Sequence, residues 1–290
     1  MDSKLELVVS LLTAATVLAV GLEIDIRMIR SLKGQIFRIF GLLAGQMILI
    51  PALAVLITTV MPMPEGLKVV VLVLSVCPTG NIANFFTLLA GGNLVLSVLA
   101  SACSCLMAPV FMPAMLWVFG KLMHQSLAGI LPQGLLLIRV FLLTWAPLFV
   151  GAVIRNLRIS GIAVFSSGLR KASAVGLLAL CIFIFVTRFS DLTADLRSNI
   201  ATSLVLIVAA ILGALGVARL MNLPARDAVC YVTTFPARHL GLLAALLAAI
   251  NRLDGLVFIV IYFASESLIM LTGVFAYRRL ATGLGEVGQQ

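Results

Sequence analysis

Long apolar stretches alternate with short polar connections along this chain. Nine of the stretches have about the 20 residues that an α-helix needs to cross the apolar core of a bilayer. They cover residues 5–22, 36–59, 67–90, 94–119, 135–154, 173–189, 200–220, 228–249 and 256–277. The pattern predicts an all-α integral membrane protein with nine transmembrane helices in a single membrane domain over residues 1–290. We expect the first stretch to stay as a membrane helix rather than to be cleaved as a signal peptide.

Two of these stretches contain residues that interrupt a membrane helix. The third stretch reads Cys-Pro-Thr-Gly-Asn-Ile-Ala-Asn at residues 77–84, and the eighth reads Thr-Thr-Phe-Pro-Ala-Arg-His at residues 233–239. In hydrocarbon every backbone N–H and C=O needs a partner, so a break is tolerated only where it is buried in protein or lines a cavity. Interrupted helices in corresponding halves of a chain indicate the binding site of a transporter. We therefore predict a carrier in which two broken helices cross.

The order of the stretches indicates an internal symmetry. The second, third and fourth precede the seventh, eighth and ninth by five positions, and an odd offset gives the two triplets opposite orientations, as in an inverted repeat. Each triplet has its proline-interrupted helix in the middle, although residue-level similarity between the triplets is too weak to demonstrate a duplication. We expect a first repeat over residues 5–119 and a second repeat over residues 135–277.

Composition and charge support a membrane location. The chain is 62% hydrophobic and 11% charged, whereas soluble domains carry roughly 25% charged residues. Its net charge of +9 comes from basic residues spread over short connections, which argues against nucleic-acid binding. With nine spans, the basic residues divide 12 to 7 between the faces, and the richer face should be cytoplasmic, with the N-terminus outside a plasma or inner membrane and the C-terminus in the cytoplasm. The 12 are Arg27, Arg30, Lys33, Arg38, Arg155, Arg158, Arg170, Lys171, Arg219, Arg226, Arg278 and Arg279, and the 7 are Lys4, Lys68, Lys121, Arg139, Arg188, Arg197 and Arg252.

The chain has no pattern typical of an enzyme or of a metal centre. Its five cysteines all fall in apolar stretches without metal-ligand spacing and are expected to be small core residues. No Gly-x-Ser-x-Gly or His-Glu-x-x-His motif occurs, and no plausible Ser-His or paired-carboxylate site is present. We predict a protein that is not an enzyme and has no cofactor.

Two charged residues stand out at membrane depth: Arg238 follows the second break, and Glu266 lies near the middle of the last stretch. A charge at membrane depth costs at least about 2.5 to 3.5 kcal/mol, so such residues are functional or paired. One interpretation is a structural ion pair between neighbouring helices. The other is that Arg238 faces a cavity at the second break, where a substrate anion approaches. The adjacent His239 is a core residue, a substrate contact or a proton carrier, and its charged neighbour favours the neutral imidazole.

Other polar residues lie on the remaining helices of the predicted site. Gln46 is in the middle of the second stretch, where it either forms hydrogen bonds between helices or is a site residue. Ser97, Ser101 and Ser104 recur at spacings of four and three, which places their hydroxyls on one face of a helix. Small polar residues of this kind also serve simply as packing faces.

The first break and the residues after it resemble the bile acid:sodium symporter family. Residues 77–98 are similar to the Cys-Pro-Gly-Gly, Ser-Asn, Thr and Leu-Ser-Val pattern of that family at matching spacing, and Gln46 looks like its sodium-site glutamine. The resemblance extends over nearly the whole chain. It implies a panel domain, a core domain of two inverted triplets with crossed broken helices, and import of organic anions with two sodium ions. Bacterial members often have ten spans, so this chain looks like one that lacks the first.

The second break departs from the family pattern at the positions that bind sodium. Where family members read Glu-Val-Gly-Met-Gln-Asn-Ser-Gly-Leu, this chain reads Thr-Phe-Pro-Ala-Arg-His-Leu-Gly-Leu at residues 234–242. The resemblance thus places Thr234 at the shared glutamate and Arg238 at the glutamine, while Ala83 replaces a serine in the first half. A guanidinium stays charged in proteins. At about 5 Å and an effective dielectric near 20, it repels a sodium ion by roughly 3 kcal/mol.

These observations predict a secondary transporter of a small organic anion that works by alternating access and is not sodium-coupled at the family's second site. Three alternatives stay open: a sodium symporter that uses one remaining site, an arsenite-type permease, and a transport-inactive receptor of the same fold. The expected partners are a small anionic molecule and the lipid bilayer, and sodium is the one ion that the resemblance implies. The substrate-binding candidates are Asn81, Asn84, Thr234, Arg238, His239 and Glu266, and the ion-binding candidates are Gln46, Asn84, Thr87, Ser97 and Ser101.

Overall fold

The structure, a computed structural model, describes residues 2–122, 133–157, 161–187, 195–249 and 255–287. Within these ranges it describes the side chains except at residues 2–5, 26–33, 133–137, 163, 249 and 280–287. The described residues form helices and no named strand. In chain order the helices are α1 (Asp2–Gly21), α2 (Ile26–Ala44), α3 (Ile50–Val60), α4 (Glu65–Val76), α5 (Ile82–Leu89), α6 (Leu94–Leu122), α7 (Gln133–Asn156), α8 (Ile162–Thr187), α9 (Leu196–Leu220), α10 (Ala225–Thr234), α11 (Leu240–Ala249) and α12 (Leu256–Val287).

The described part of the chain contains six helices that are long and apolar enough to cross a membrane. They are Gly34–Val60, Leu94–Leu122, Ile138–Asn156, Val164–Thr187, Leu196–Leu220 and Leu256–Arg279. This confirms an all-helical, multi-pass membrane protein. The other three predicted spans correspond to a shorter apolar helix at Glu6–Gly21 and to the two pairs of half-helices, α4 with α5 and α10 with α11. The total of nine crossings, the inverted repeat and the division into panel and core stay predictions.

Several helices differ from the predicted stretches: α2 begins at Ile26 rather than at residue 36, and α12 ends at Val287 rather than at residue 277. The second stretch is a helix with a π-helical turn at Gly45–Leu49 between α2 and α3, which hydropathy does not reveal. Helix α8 begins at Ile162, well before the predicted start at residue 173, and it includes Arg170 and Lys171. The reason is that hydropathy marks only the apolar part of a helix, whereas backbone hydrogen bonding continues into the polar part.

The two breaks have the same layout. Five residues, 77–81, separate α4 from α5, and five residues, 235–239, separate α10 from α11. In each break a proline, Pro78 or Pro236, is the second residue after the first half-helix ends. Proline has no N–H for an intrahelical hydrogen bond and its ring collides with the preceding turn, so it ends a helix at such a position.

Each break supplies backbone partners to the other. The Gly80 N–H donates to the Ala237 carbonyl at 3.0 Å, and the His239 N–H donates to the Pro78 carbonyl at 2.8 Å. Thr79 and Arg238 thereby form an antiparallel bridge. A Cβ at Gly80 would lie only 2.6 Å from the Arg238 carbonyl oxygen, so this contact requires glycine. The predicted contact between the breaks is therefore present, and it satisfies backbone groups that would otherwise be costly in an apolar interior.

The remaining helices pack closely around this junction. A Cβ at Gly45 would lie 2.2 Å from the Phe235 ring, so the π-helical turn rests directly on the second break. A Cβ at Gly21 would lie 2.3 Å from the Leu148 carbonyl, which brings α1 and α7 into backbone contact. Small residues allow such close approach between membrane helices. Helix α1 also packs against α11, so it joins the helices around the breaks.

Candidate functional site

The first group of polar side chains is centred on Asn84 in α5. Its Oδ1 accepts hydrogen bonds from the Ser97 hydroxyl at 2.6 Å and from the Ser101 hydroxyl at 3.4 Å. These two serines lie one turn apart on α6 and are fully buried. The Thr87 hydroxyl donates to the Ser97 hydroxyl at 3.3 Å, and it lies 2.6 Å from the Thr233 hydroxyl of the second half. Four of the predicted ion-binding residues therefore form one cluster of oxygen atoms, which we call the Asn84 cluster.

A carboxylate that the sequence analysis did not select completes this cluster. The Asn84 amide donates to Glu23 Oε2 at 3.1 Å, and Arg170 Nη1 lies 2.9 Å from Glu23 Oε1. Glu23 follows α1 in a polar connection, where an acidic residue carries no sequence signal. Only 13% of its side chain is exposed. Burial raises the pKa of Glu23 above its ordinary value of 4.5, and the Arg170 charge and the Asn84 hydrogen bond oppose that rise.

Gln46 lies in a second group rather than in the Asn84 cluster. It is part of the π-helical turn, and its amide bridges the two breaks. Its Nε2 donates to the Thr234 carbonyl at 3.1 Å, and its Oε1 accepts a hydrogen bond from the Thr79 hydroxyl at 2.9 Å. The Thr234 hydroxyl donates to the Cys230 carbonyl at 2.7 Å, within its own helix. The Gln46 amide thus links the two broken helices through one hydrogen bond at each end.

Arg238 lies at the centre of this second group and is only 4% exposed. Its Nη1 donates to the Cys77 carbonyl at 3.1 Å and its Nη2 to the Gln46 carbonyl at 3.4 Å, while Nε has no partner. Among the described residues no ion pair includes Arg238. A cavity of about 10 Å³, with room for about one water molecule, lies beside it and is also lined by Gln46 and Ser104.

Glu266 is fully buried on α12, and both of its carboxylate oxygens lack a partner among the described residues. It is close enough to Arg238 for an electrostatic interaction, but the two side chains form no ion pair. One turn earlier on the same helix, the Tyr262 hydroxyl donates to the Pro236 carbonyl at 2.7 Å. The two charged residues selected from the sequence are thus brought together without direct contact.

His239 has partners for both ring nitrogens. The Leu242 N–H donates to Nδ1 at 3.1 Å, and Nε2 lies 3.1 Å from the Thr16 hydroxyl. The Thr16 hydroxyl donates its hydrogen to the Thr13 carbonyl at 2.7 Å, so in its contact with His239 it accepts a hydrogen bond from the Nε2–H. Since Nδ1 accepts from Leu242, the imidazole is neutral, with its hydrogen on Nε2. These contacts favour the core interpretation of His239. Helix α1 contributes to the site through them, and nothing in its apolar sequence indicated that role.

Asn81 lies between the two halves of the site. Its Nδ2 donates to the Thr16 carbonyl at 3.4 Å, and its Oδ1 accepts a hydrogen bond from the Asn84 amide at 3.5 Å. Asn81 therefore connects α1 to the Asn84 cluster. Eight of the ten predicted site residues lie in these two groups, and Gln46 belongs with Thr234 and Arg238 rather than with the serines. Of the other two, His239 contacts α1 and Glu266 has no hydrogen-bond partner among the described residues.

An all-helical membrane protein whose buried polar groups collect where two broken helices meet has the architecture of a secondary carrier. Comparison with known families agrees with that class. A family model described as Sodium Bile acid symporter family matches residues 10–195. The chain belongs to this family, whose members are transporters and not enzymes, as the sequence analysis predicted.

Individual relatives are similar at modest identity. Sodium/bile acid cotransporter 4 of Mus musculus is 26% identical over 238 residues, covering 73% of this chain and 53% of the relative. Sodium/bile acid cotransporter 4 of Homo sapiens is 28% identical over 229 residues, covering 75% of this chain and 51% of the relative. The uncharacterized sodium-dependent transporter YocS of Bacillus subtilis (strain 168) is 28% identical over 142 residues, covering 49% of this chain and 42% of the relative. The chain spans about half the length of these relatives.

The family match includes the first break and ends before the second. The Asn84 cluster up to Ser101 lies within residues 10–195, whereas Thr234 and Arg238 lie beyond them. The two departures at the second break, Thr234 and Arg238, thus lie outside the matched range, whereas the departure at Ala83 lies within it.

Proposed function

We propose that this protein is a secondary transporter that moves a small organic anion by alternating access, without sodium at the position of Arg238. The observation that carries the proposal is the buried Arg238 guanidinium, which donates to the Cys77 and Gln46 carbonyl oxygens where the breaks meet. In transporters with broken helices, unwound backbone carbonyls of this kind coordinate the coupling cation. Here a positive charge that belongs to the chain occupies them.

Electrostatics supports the absence of sodium at this position. Guanidinium stays protonated in proteins, so its charge is permanent. At about 5 Å and an effective dielectric near 20, repulsion of roughly 3 kcal/mol lowers the affinity for a second monovalent cation about a hundredfold. Thr234, in turn, provides a hydroxyl that is directed into its own helix, where the family resemblance implies a carboxylate. The same charge attracts an anionic substrate.

The size of the cavity supports an alternating-access mechanism. The space beside Arg238 has room for about one water molecule, which is too little for an organic anion. Substrate entry therefore requires the helices around the breaks to separate on one side of the membrane and then on the other.

We place the protein in a plasma or inner membrane with the C-terminus in the cytoplasm, as the basic-residue count predicts.

A sodium symporter that uses one site is the second candidate function. The Asn84 cluster favours it, because four side-chain oxygens from Asn84, Thr87, Ser97 and Ser101 are already collected there, with the Glu23 carboxylate one hydrogen bond away. A similar protein, the uncharacterized YocS, is described as sodium-dependent. The two candidates differ in one property, the sodium dependence of uptake.

The experiment is uptake of radiolabelled benzoate and taurocholate into proteoliposomes that contain the purified protein, in sodium or in choline. For the first candidate we expect equal rates in the two salts, and a rate that requires sodium supports the second. The double variant Thr234→Glu with Arg238→Gln restores the family's ligands at both positions and should make uptake or melting temperature respond to sodium. Binding of a probe without any flux identifies a receptor that does not transport.

A further inference from the structure

Glu266 and Arg238 are oppositely charged and deeply buried, and neither forms an ion pair within the described part of the chain. Burial of a charge without a partner is costly, and membrane proteins keep such residues where they have a function. Both Glu266 oxygens and Arg238 Nε lack a hydrogen-bond partner among the described residues. The other deeply buried carboxylate in the described ranges, Asp227, forms an ion pair with Arg38 at 2.9 Å. Glu266 and Arg238 are therefore the two buried charges that the local structure leaves without a counterpart.

Contacts of α12 place Glu266 near the second break, which contains Arg238. Tyr262 and Glu266 lie on one face of α12 because they are four residues apart. The Tyr262 hydroxyl donates to the Pro236 carbonyl, two residues before Arg238, which holds this face against the second break. At the preceding residue of α12, the Ser203 hydroxyl of α9 donates to the Ser265 hydroxyl at 3.2 Å. Glu266 thus lies beside the site that contains Arg238.

We propose that Glu266 is the internal counter-ion of Arg238. Its carboxylate balances the guanidinium when no substrate is bound, and the anionic group of a bound substrate replaces it. An ionised Glu266 repels an anion, so it competes with the substrate for Arg238 rather than binding it. The inference rests on the proposed function and adds to it the way in which the empty carrier compensates its fixed positive charge.

This role predicts an asymmetry between net transport and exchange. In exchange, an anion accompanies Arg238 in both directions, so the site is neutralised by substrate at each crossing. In net uptake the carrier must return without substrate. Glu266 then balances the charge of Arg238, which would otherwise be uncompensated in a low-dielectric interior. Loss of the carboxylate should therefore slow net uptake more than exchange.

The first test does not depend on any substrate. Melting temperatures of the purified protein would be measured for Arg238→Gln, Glu266→Gln and the double variant. Coupled charges give non-additive effects. We therefore expect the melting temperature of the double variant to be at least about 2 °C higher than the value obtained by adding the two single-variant shifts to the native melting temperature. Shifts that add within about 1 °C would overturn the proposal. If Arg238→Gln alone does not fold, recovery of folded protein on adding Glu266→Gln supports the proposal, and failure to recover it contradicts it.

The control for this cycle is Glu65→Gln. Glu65 is an exposed carboxylate on α4 whose own partner is Lys68 at 2.6 Å. The double variant of Glu65→Gln and Arg238→Gln should give additive shifts, because Glu65 is exposed and its ion pair with Lys68 does not include Arg238. Non-additivity of the same size in this control would remove the support that the Glu266 cycle provides.

The second test measures radiolabelled benzoate and taurocholate in proteoliposomes, as net uptake and as exchange against the same unlabelled anion. For Glu266→Gln we expect the ratio of net uptake to exchange to fall about fivefold or more, which is the range of ordinary coupling between sites. An unchanged ratio would overturn the inference and leave the proposed function intact. Absence of both fluxes in the native protein would instead contradict the proposed function, and the melting cycle would still decide the pairing.

Discussion

At the scale of single residues, Arg238 and Glu23 have roles that depend on their partners. Arg238 donates to backbone carbonyls of both halves of the site, so its planar fork of donors contributes to structure as well as to charge. Glu23 connects the Asn84 amide with the Arg170 guanidinium, and it lies at the end of α1 rather than within a membrane span. Each residue leads to one prediction.

Replacement of Arg238 by alanine should destabilise the protein by roughly 2 to 5 kcal/mol, because two buried carbonyl oxygens lose their donor. Lysine should recover only part of this loss, since it keeps the charge but not the two-pronged geometry. The measurement is the free energy of unfolding in a detergent titration. Arg226, whose guanidinium contacts the Gly91 carbonyl at an exposed position, provides the matched control, and its alanine variant should change stability by less than about 1 kcal/mol. Equal effects at the two arginines would contradict the role of Arg238.

Glu23 should make stability depend on pH in a defined direction. Burial raises its pKa in the folded protein above 4.5, so the folded state binds the proton more tightly than the unfolded state does. This contribution is fully present below the unfolded pKa and is lost as pH rises through the folded pKa. Relative to Glu23→Gln, the native protein should therefore lose stability as pH rises through the range above 4.5, measured as the difference between their melting temperatures. A difference that does not change over this range would show that Glu23 is not buried as described.

At the scale of the elements, the two broken helices form one unit through backbone contacts. Hydrogen bonds run from the Gly80 N–H to the Ala237 carbonyl and from the His239 N–H to the Pro78 carbonyl. They bring the two breaks so close together that a side chain at position 80 would not fit. The π-helical turn then lies against Phe235 and presents Gln46 to both breaks. Such turns are frequent at functional sites.

Alanine at Gly80 should disturb this unit, because its Cβ would lie 2.6 Å from the Arg238 carbonyl oxygen. We expect a loss of about 1 to 3 kcal/mol, as for other overpacked positions, together with loss of uptake. Gly216, on α9, has nothing within 4 Å of the corresponding Cβ and is the control. Its alanine variant should be neutral or slightly more stable. Unimpaired uptake and stability in Gly80→Ala would show that the close contact between the breaks does not form.

At the scale of the whole molecule, the predicted orientation follows from the 12 and 7 basic residues on the two faces. The count depends on nine crossings. Two of the predicted connections on the richer face contain Ser31 and Ser160. In the structure Ser31 lies in α2, and its side chain and the whole of Ser160 lie outside the described residues.

Single cysteines at Ser31 and Ser160 should react with a membrane-impermeant maleimide only after the cells are opened. A cysteine at Glu65, an exposed position at the start of α4 on the opposite predicted face, should react in sealed cells. Four of the native cysteines are buried and the fifth is partly buried, so the native protein provides the unlabelled reference. Labelling of either serine position from outside would overturn both the orientation and the count of crossings.

The sequence by itself determined the membrane class, the positions of the two breaks and most of the polar residues near them. These features are local: apolar length marks a membrane helix, and a proline inside it marks the break wherever the rest of the chain lies. Ser97 and Ser101 were found because helical spacing and the family pattern select the same positions, and Asn84 because it lies in the first break and matches the family pattern. Arg238 and Glu266 were found because a charge in an apolar stretch stands out.

Only the tertiary structure decided which of these residues act together. Gln46 joins Thr79 and Thr234 because a π-helical turn rotates it toward the breaks, and hydropathy has no signal for such a turn. Glu23 and Thr16 enter the site from polar or apolar sequence that looks ordinary, since their partners are more than 60 residues away in the chain. Whether Arg238 meets a carbonyl or a carboxylate depends on how four half-helices converge. That arrangement is set by packing across the whole molecule, which no local pattern records.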